Sequence, residues 1–128
     1  MSQDPATGFV YLDIQGRIST SDVMENFAKL KAKYGSNGAL YVLADYQHGG
    51  FVEEPELYHV NMTDIKESFH KYFKSLGQIF AVYVVPRGDE TTRVLIQQFI
   101  KMVSGVDSFK AAIVETRAEA ENWLKSNA

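Results

Sequence analysis

The chain has 128 residues and no cysteine. That excludes disulfides, thiolate nucleophiles and cysteine-ligated zinc or iron–sulfur centres. It has no excess of positive charge, the formal net charge being −3 at pH 7. A nucleic-acid binder needs a basic face to release phosphate counterions, and a grip on anionic lipid needs clustered lysine and arginine. No nucleic-acid partner is therefore expected. No apolar run approaches the roughly 20 residues that span a bilayer, so no integral membrane segment is expected. Met1 to Gly8 has no basic stretch followed by an apolar one and does not read as a signal peptide. A cytoplasmic location is the expectation.

What is present is ordinary for a folded protein: 45% hydrophobic and 23% charged residues, in a length that suits one domain spanning 1–128. The pattern is an alternation of short apolar strands and amphipathic helices. Phe9 to Ile14 reads as a strand, and Gly16-Arg17 as a turn. Ser19, Thr20, Ser21 and Asp22 offer helix N-caps ahead of Val23, Phe27, Leu30 and Tyr34 at helical spacing, with Gly35 as the stop. Ala39 to Tyr46 is nearly continuously apolar, as a strand covered on both faces should be. Gln47-His48-Gly49-Gly50 reads as a turn, and residues 53–60 are compatible with helix or loop. Ile65, Phe69, Tyr72, Phe73 and Leu76 mark a helix ended by Gly77. A strand from Phe80 to Val85, a turn at Pro86 to Asp89 and a helix carrying Leu95, Ile96, Phe99, Ile100 and Val103 follow. Phe109 to Val114 is the last strand, and Thr116 with Glu119 forms a capping box for the last helix. Strands alternating with helices imply an α/β fold: a mostly parallel sheet, right-handed crossovers and covering helices.

Several chemistries find no support. There is no Gly-x-Ser-x-Gly elbow, no Gly-x-Gly-x-x-Gly and no P-loop. Glu56 with His59, and Glu67 with His70, are Glu-x-x-His pairs. On one continuous helix they would lie about 16 Å apart, too far to share a metal. Arg87-Gly88-Asp89 reads as a turn and helix cap. Asp45, His48 and Asp89 or Glu90 would act as acid and base only if their loops converged.

In open α/β sheets ligands collect outside the carboxyl ends of the strands. That edge is expected to hold Asp45 to Phe51, Pro86 to Glu90, and Glu115-Thr116. Asp45, His48, Gly49 and Gly50 are its most polar cluster. Against a binding loop stands a plain turn, with an aspartate capping local amides and glycines supplying positive φ. The aromatics Phe27, Tyr34, Tyr41, Phe69, Phe73, Tyr83 and Phe99 fit an ordinary core, or the walls of a hydrophobic cavity.

The chain resembles the SpoIIAA-like family, of the STAS-like fold. The resemblance rests on Gly16 to Asp22 after the first strand, Leu43-Ala44-Asp45 with the following Tyr46 to Phe51, Phe80 to Val85, and Phe109 to Leu124. It implies a βα superhelix of about four units, helices on both sheet faces and frequent dimerisation. It also implies a binding or regulatory role, with a regulatory protein or a second copy as partner; with the catalytic motifs absent, a non-enzymatic protein with no cofactor or metal is the expectation. The alternative it implies is a carrier or sensor of a small hydrophobic, lipid-like ligand held between sheet and helices, with the helix from Ile65 to Leu76 as lid. Antagonists of anti-sigma factors in this fold carry a phosphorylatable serine where the second βα turn enters its helix. The matching stretch here, Asp45 to Val60, holds no serine or threonine, so no such switch is expected. The residues expected to carry ligand or partner contacts are Asp45, Tyr46, His48, Gly49, Gly50 and Phe51, with Phe69 and Phe73 on the following helix.

Overall fold

Two six-residue apolar strands form the centre of the protein, β4 (Leu40–Asp45) and β6 (Ile79–Val84), and a third, β7 (Phe109–Val114), lies beside β6 at the end of the sheet. They are rich in Val, Ile, Leu and aromatics, residues that pack well on a pleated surface buried on both sides. The computed structural model describes residues 2–34, 38–51, 62–103 and 105–128, without the side chains of residues 20, 62–66, 68 and 69. Its other elements are β1 (Ser2–Gln3), β2 (Val10–Asp13), β3 (Gly16–Ile18), α1 (Thr20–Tyr34), β5 (Gly49–Phe51), α2 (Met62–Leu76), α3 (Glu90–Met102) and α4 (Arg117–Asn127). Residues 53–60, Glu56-His59 among them, and the expected stop at Gly35 lie outside the described residues. No described helix is long and apolar enough to cross a membrane.

The fold is α/β. The main sheet runs β1-β2-β4-β6-β7, with β1 antiparallel to β2 and every other neighbour parallel. Each βα crossover therefore steps to the next strand in the same direction. Leu40, Val42 and Ala44 of β4, with Ile79, Ala81 and Tyr83 of β6, face one layer built by Val23, Phe27 and Leu30 of α1, Phe73 of α2, and Ile96 and Phe99 of α3. The alternate residues Leu43, Val82 and Val84 face Ala120 and Leu124 of α4. The period of two along each strand thus divides the core into two layers.

Caps hold the helices where the sequence signals them. The Thr116 hydroxyl accepts from the Glu119 N–H at 3.2 Å, and Ser19 and Asp22 exchange bonds of the same kind at the start of α1. Gly77 ends α2 at φ +80°, a conformation that side chains with a Cβ rarely adopt.

Two expectations are corrected. Gly16-Arg17 and Gly49-Gly50, read as turns, are instead strands: β3 and β5 pair in parallel with Gly16 opposite Gly49, Arg17 opposite Gly50 and Ile18 opposite Phe51. The turn itself is confined to the residues just before β5. The expected first strand, Phe9 to Ile14, is shorter at both ends.

Candidate functional site

The β3–β5 ribbon stands at the carboxyl ends of β2 and β4. Its close pairing depends on one missing Cβ: an added carbon on Gly49 would lie 2.6 Å from the Ile14 carbonyl oxygen and 2.7 Å from that of Gly16. The ribbon is tied to the next βα turn by the first turn of α3. The Asp89 carboxylate accepts from the Thr92 N–H at 3.2 Å, capping the helix. The Thr92 hydroxyl oxygen, buried, accepts from the Phe51 N–H at 3.3 Å.

Between the ribbon and this turn lies an open groove of about 650 Å³. Gly16 and Arg17 line one side, Tyr46 to Phe51 the floor, and Pro86, Arg87, Asp89, Thr91 and Thr92 the other side. His48 and Gln47 are exposed, whereas Tyr46 and Phe51 are buried. Arg87 is 88% exposed and bonds the Glu115 carboxylate at 3.1 Å. No described residue forms a salt bridge with Arg17. Among the described residues no three histidine, aspartate or glutamate side chains gather to hold a metal ion.

The structure brings together five of the residues expected from sequence: Tyr46, His48, Gly49, Gly50 and Phe51 share the groove. Two others lie elsewhere. Asp45 turns beneath α4: its Oδ1 accepts from the Gln47 N–H at 2.9 Å and its Oδ2 from Arg117 at 3.3 Å. Phe73 is wholly buried, packed edge-on or tilted against Phe27, Phe99 and Phe109; its place is the core, because the apolar stripe of α2 covers the sheet. The side chain of Phe69 lies outside the described residues. Sequence reasoning missed Gly16, Arg17, Thr91 and Thr92. Arg17 reaches the groove only through the pairing of two glycine-containing strands far apart in the chain, which leaves no local trace.

Tyr46 closes the groove at its inner end and also lines a second, interior cavity of about 20 Å³ between α1 and the sheet. Leu12, Ile14, Val23, Phe27, Leu30, Val42 and Ala81 make that cavity apolar, and Tyr83 borders it. The Tyr83 hydroxyl is buried with no hydrogen-bond partner. Burial pushes the Tyr46 hydroxyl well above its ordinary pKa. It does the same to Tyr83, with the nearby Tyr46 adding to the effect.

No family model, no curated protein and no solved structure matches the chain.

Proposed function

We propose that this protein is a non-enzymatic, cytoplasmic binding module of the STAS-like, SpoIIAA-like kind, whose groove seats an acidic segment of a partner protein. One observation carries the reading: the groove exposes Arg17, His48 and Arg87, while among the described residues Asp45, Asp89 and Glu115 beside it are already engaged. Asp89 caps α3, Asp45 holds Arg117 and the Gln47 amide, and Glu115 holds Arg87. Among the described residues Arg17 has no salt-bridge partner, and Arg87, 88% exposed, keeps donors beyond its one bond to Glu115; such a surface complements negative charge, and that complementarity sets partner choice and association rate. The same commitments argue for binding over acid–base chemistry, since Asp45 and Asp89 are bound to structural partners. The absence of serine and threonine from Asp45 to Val60 favours a module without the serine switch.

Selection from a random peptide library tests this. Acidic peptides should be enriched, and an Arg17→Glu, Arg87→Glu variant should lose them. Peptides without acidic enrichment, or binding unchanged in the variant, would sink the reading.

A second reading, a carrier or sensor of a small hydrophobic ligand, is favoured by the unpartnered Tyr83 hydroxyl beside an apolar cavity. At about 20 Å³ that cavity has room for a single water. A lipid-like occupant would require Tyr46 to swing aside and join cavity and groove. Native mass spectrometry of gently purified protein separates the readings: a reproducible added mass of lipid size supports the carrier, and a bare chain mass removes it.

A further inference from the structure

We infer that the charged feature this groove recognises is a phosphate monoester, carried by a phosphoserine or phosphothreonine of the partner segment. The inference rests on the proposed function and narrows it from acidic chains in general to one dianionic group.

The ribbon supplies an open slot. Arg17 on β3 stands directly opposite Gly50 on β5. Residues opposite one another on paired strands project to the same face. A carbon added to Gly50 would meet the Thr92 hydroxyl oxygen at 3.3 Å. The face that carries Arg17 is therefore the face turned toward the first turn of α3, and glycine leaves the space between them without a side chain.

Donors border this slot on both sides. Arg17 is exposed and has no salt-bridge partner among the described residues. On the other wall Arg87 uses its Nε on Glu115, which leaves both terminal nitrogens of the guanidinium. Thr91, exposed on the same wall, adds a hydroxyl. In α3 the Asp89 carboxylate takes the Thr92 N–H, and the Asp89 carbonyl takes the Arg93 N–H. The Glu90 and Thr91 N–H groups precede these and have no acceptor within the helix. The Glu90 carboxylate lies 3.8 Å from Arg93.

A carboxylate carries one charge and two oxygens in a plane, which a single guanidinium fork satisfies. Here a second guanidinium, a hydroxyl and two amides stand across the slot. A phosphate monoester brings three terminal oxygens and about −1.5 to −2 charges at pH 7, so one group bonds both walls at once. The groove, at about 650 Å³, far exceeds a single phosphate. Its remaining length past Gln47, His48 and Pro86 takes the chain on either side of the phosphorylated residue. That room favours a phosphorylated segment over free phosphate.

Degenerate peptide libraries with a fixed central phosphoserine, serine or glutamate, passed over the immobilised full chain, test this. The phosphoserine library should be retained about tenfold or more above the glutamate library, because bonds to the second wall are gained. Arg17→Gln and Thr91→Ala, at exposed positions, should each lower that retention several-fold without moving the melting temperature. Gly50→Ala, which sets a methyl in the slot, should lower it as well. The library comparison uses the unmodified chain, so it decides even where a variant fails to fold. Glutamate peptides held as strongly as phosphoserine ones, and lost in Arg17→Glu, Arg87→Glu, would overturn the phosphate and leave the acidic-segment reading standing. Retention of neither would overturn both. Phosphoserine retention unchanged in Arg17→Gln would place the contact elsewhere and overturn the inference. Inorganic phosphate displacing the peptide at equal concentration would overturn it too, and give the slot to free phosphate.

Discussion

Arg117 lies 3.3 Å from the buried carboxylate of Asp45, across 72 residues of chain. The same nitrogen lies 3.5 Å from Asp13, the residue opposite Asp45 on β2, and the guanidinium rests over the Tyr11 ring at 5.0 Å. Two carboxylates side by side on one sheet face repel, and Asp45 is only 6% exposed. A cation at the first residue of α4 offsets that repulsion and clamps the helix to the sheet. It does so although a positive charge at a helix N-terminus is itself unfavourable.

Removing the cation should therefore cost more than a surface pair does. Arg117→Ala leaves the Asp45 Oδ2 without its donor and should destabilise by about 1–3 kcal/mol in urea titration. Arg117→Lys keeps a charge but loses the planar stack on Tyr11, and should fall between the two. An Arg117→Ala variant as stable as the parent would show that solvent already screens Asp45.

Gly49→Ala tests the ribbon. The new methyl would press on two carbonyl oxygens that belong to the backbone, so no side-chain rotation relieves it. The cost should be about 1–3 kcal/mol or more, with loss of amide protection at β3 and β5 in hydrogen exchange. Gly50→Ala, whose added carbon would meet only the Thr92 hydroxyl at 3.3 Å, should cost less.

Thr92 links that ribbon to α3. Thr92→Val preserves shape but leaves the buried Phe51 N–H without an acceptor. A loss of about 1–3 kcal/mol is expected, recovered largely by Thr92→Ser. Equal stabilities for the Val and Ser variants would show the bond is dispensable.

The two buried tyrosines set the alkaline limit. Both hydroxyls have folded pKa values raised above the ordinary 10.0, chiefly by burial. Below pH 10 folded and unfolded chains alike keep these protons, and stability is flat with respect to them. Above it the unfolded chain releases them while the folded chain holds them, so stability falls as pH rises, by about 1.4 kcal/mol per pH unit for each tyrosine. Tyr46→Phe and Tyr83→Phe should each shallow that slope in denaturant titrations run from pH 9 to 11.5. Tyr83→Phe should also match or exceed the parent near pH 7, because it deletes a buried hydroxyl with no partner. A marked loss there would mean that a bound water satisfies the group.

The legible parts of this chain were those whose signals are local. The apolar runs of β4, β6 and β7, the apolar stripe of α3 and the Thr116–Glu119 capping box each lie within about a dozen consecutive residues, and the period of their apolar positions names the element. The groove was half legible. Tyr46 to Phe51 follow a strand at the edge where ligands collect, but the strand character of Gly49 to Phe51 was hidden by glycines that weaken any propensity signal.

The sequence by itself determined the α/β class, the order of its βα units, the helix caps and the exclusion of cysteine chemistry, because composition, periodicity and caps act between near neighbours. Tertiary structure alone decided that Asp45 answers to Arg117, that Phe73 belongs to the core, that Arg17 and Thr92 meet the Gly49-Gly50 strand, and that β7 is left as an edge. Each of these depends on pairing between distant segments, where the parallel register and the close approach of backbones place side chains that no local pattern relates.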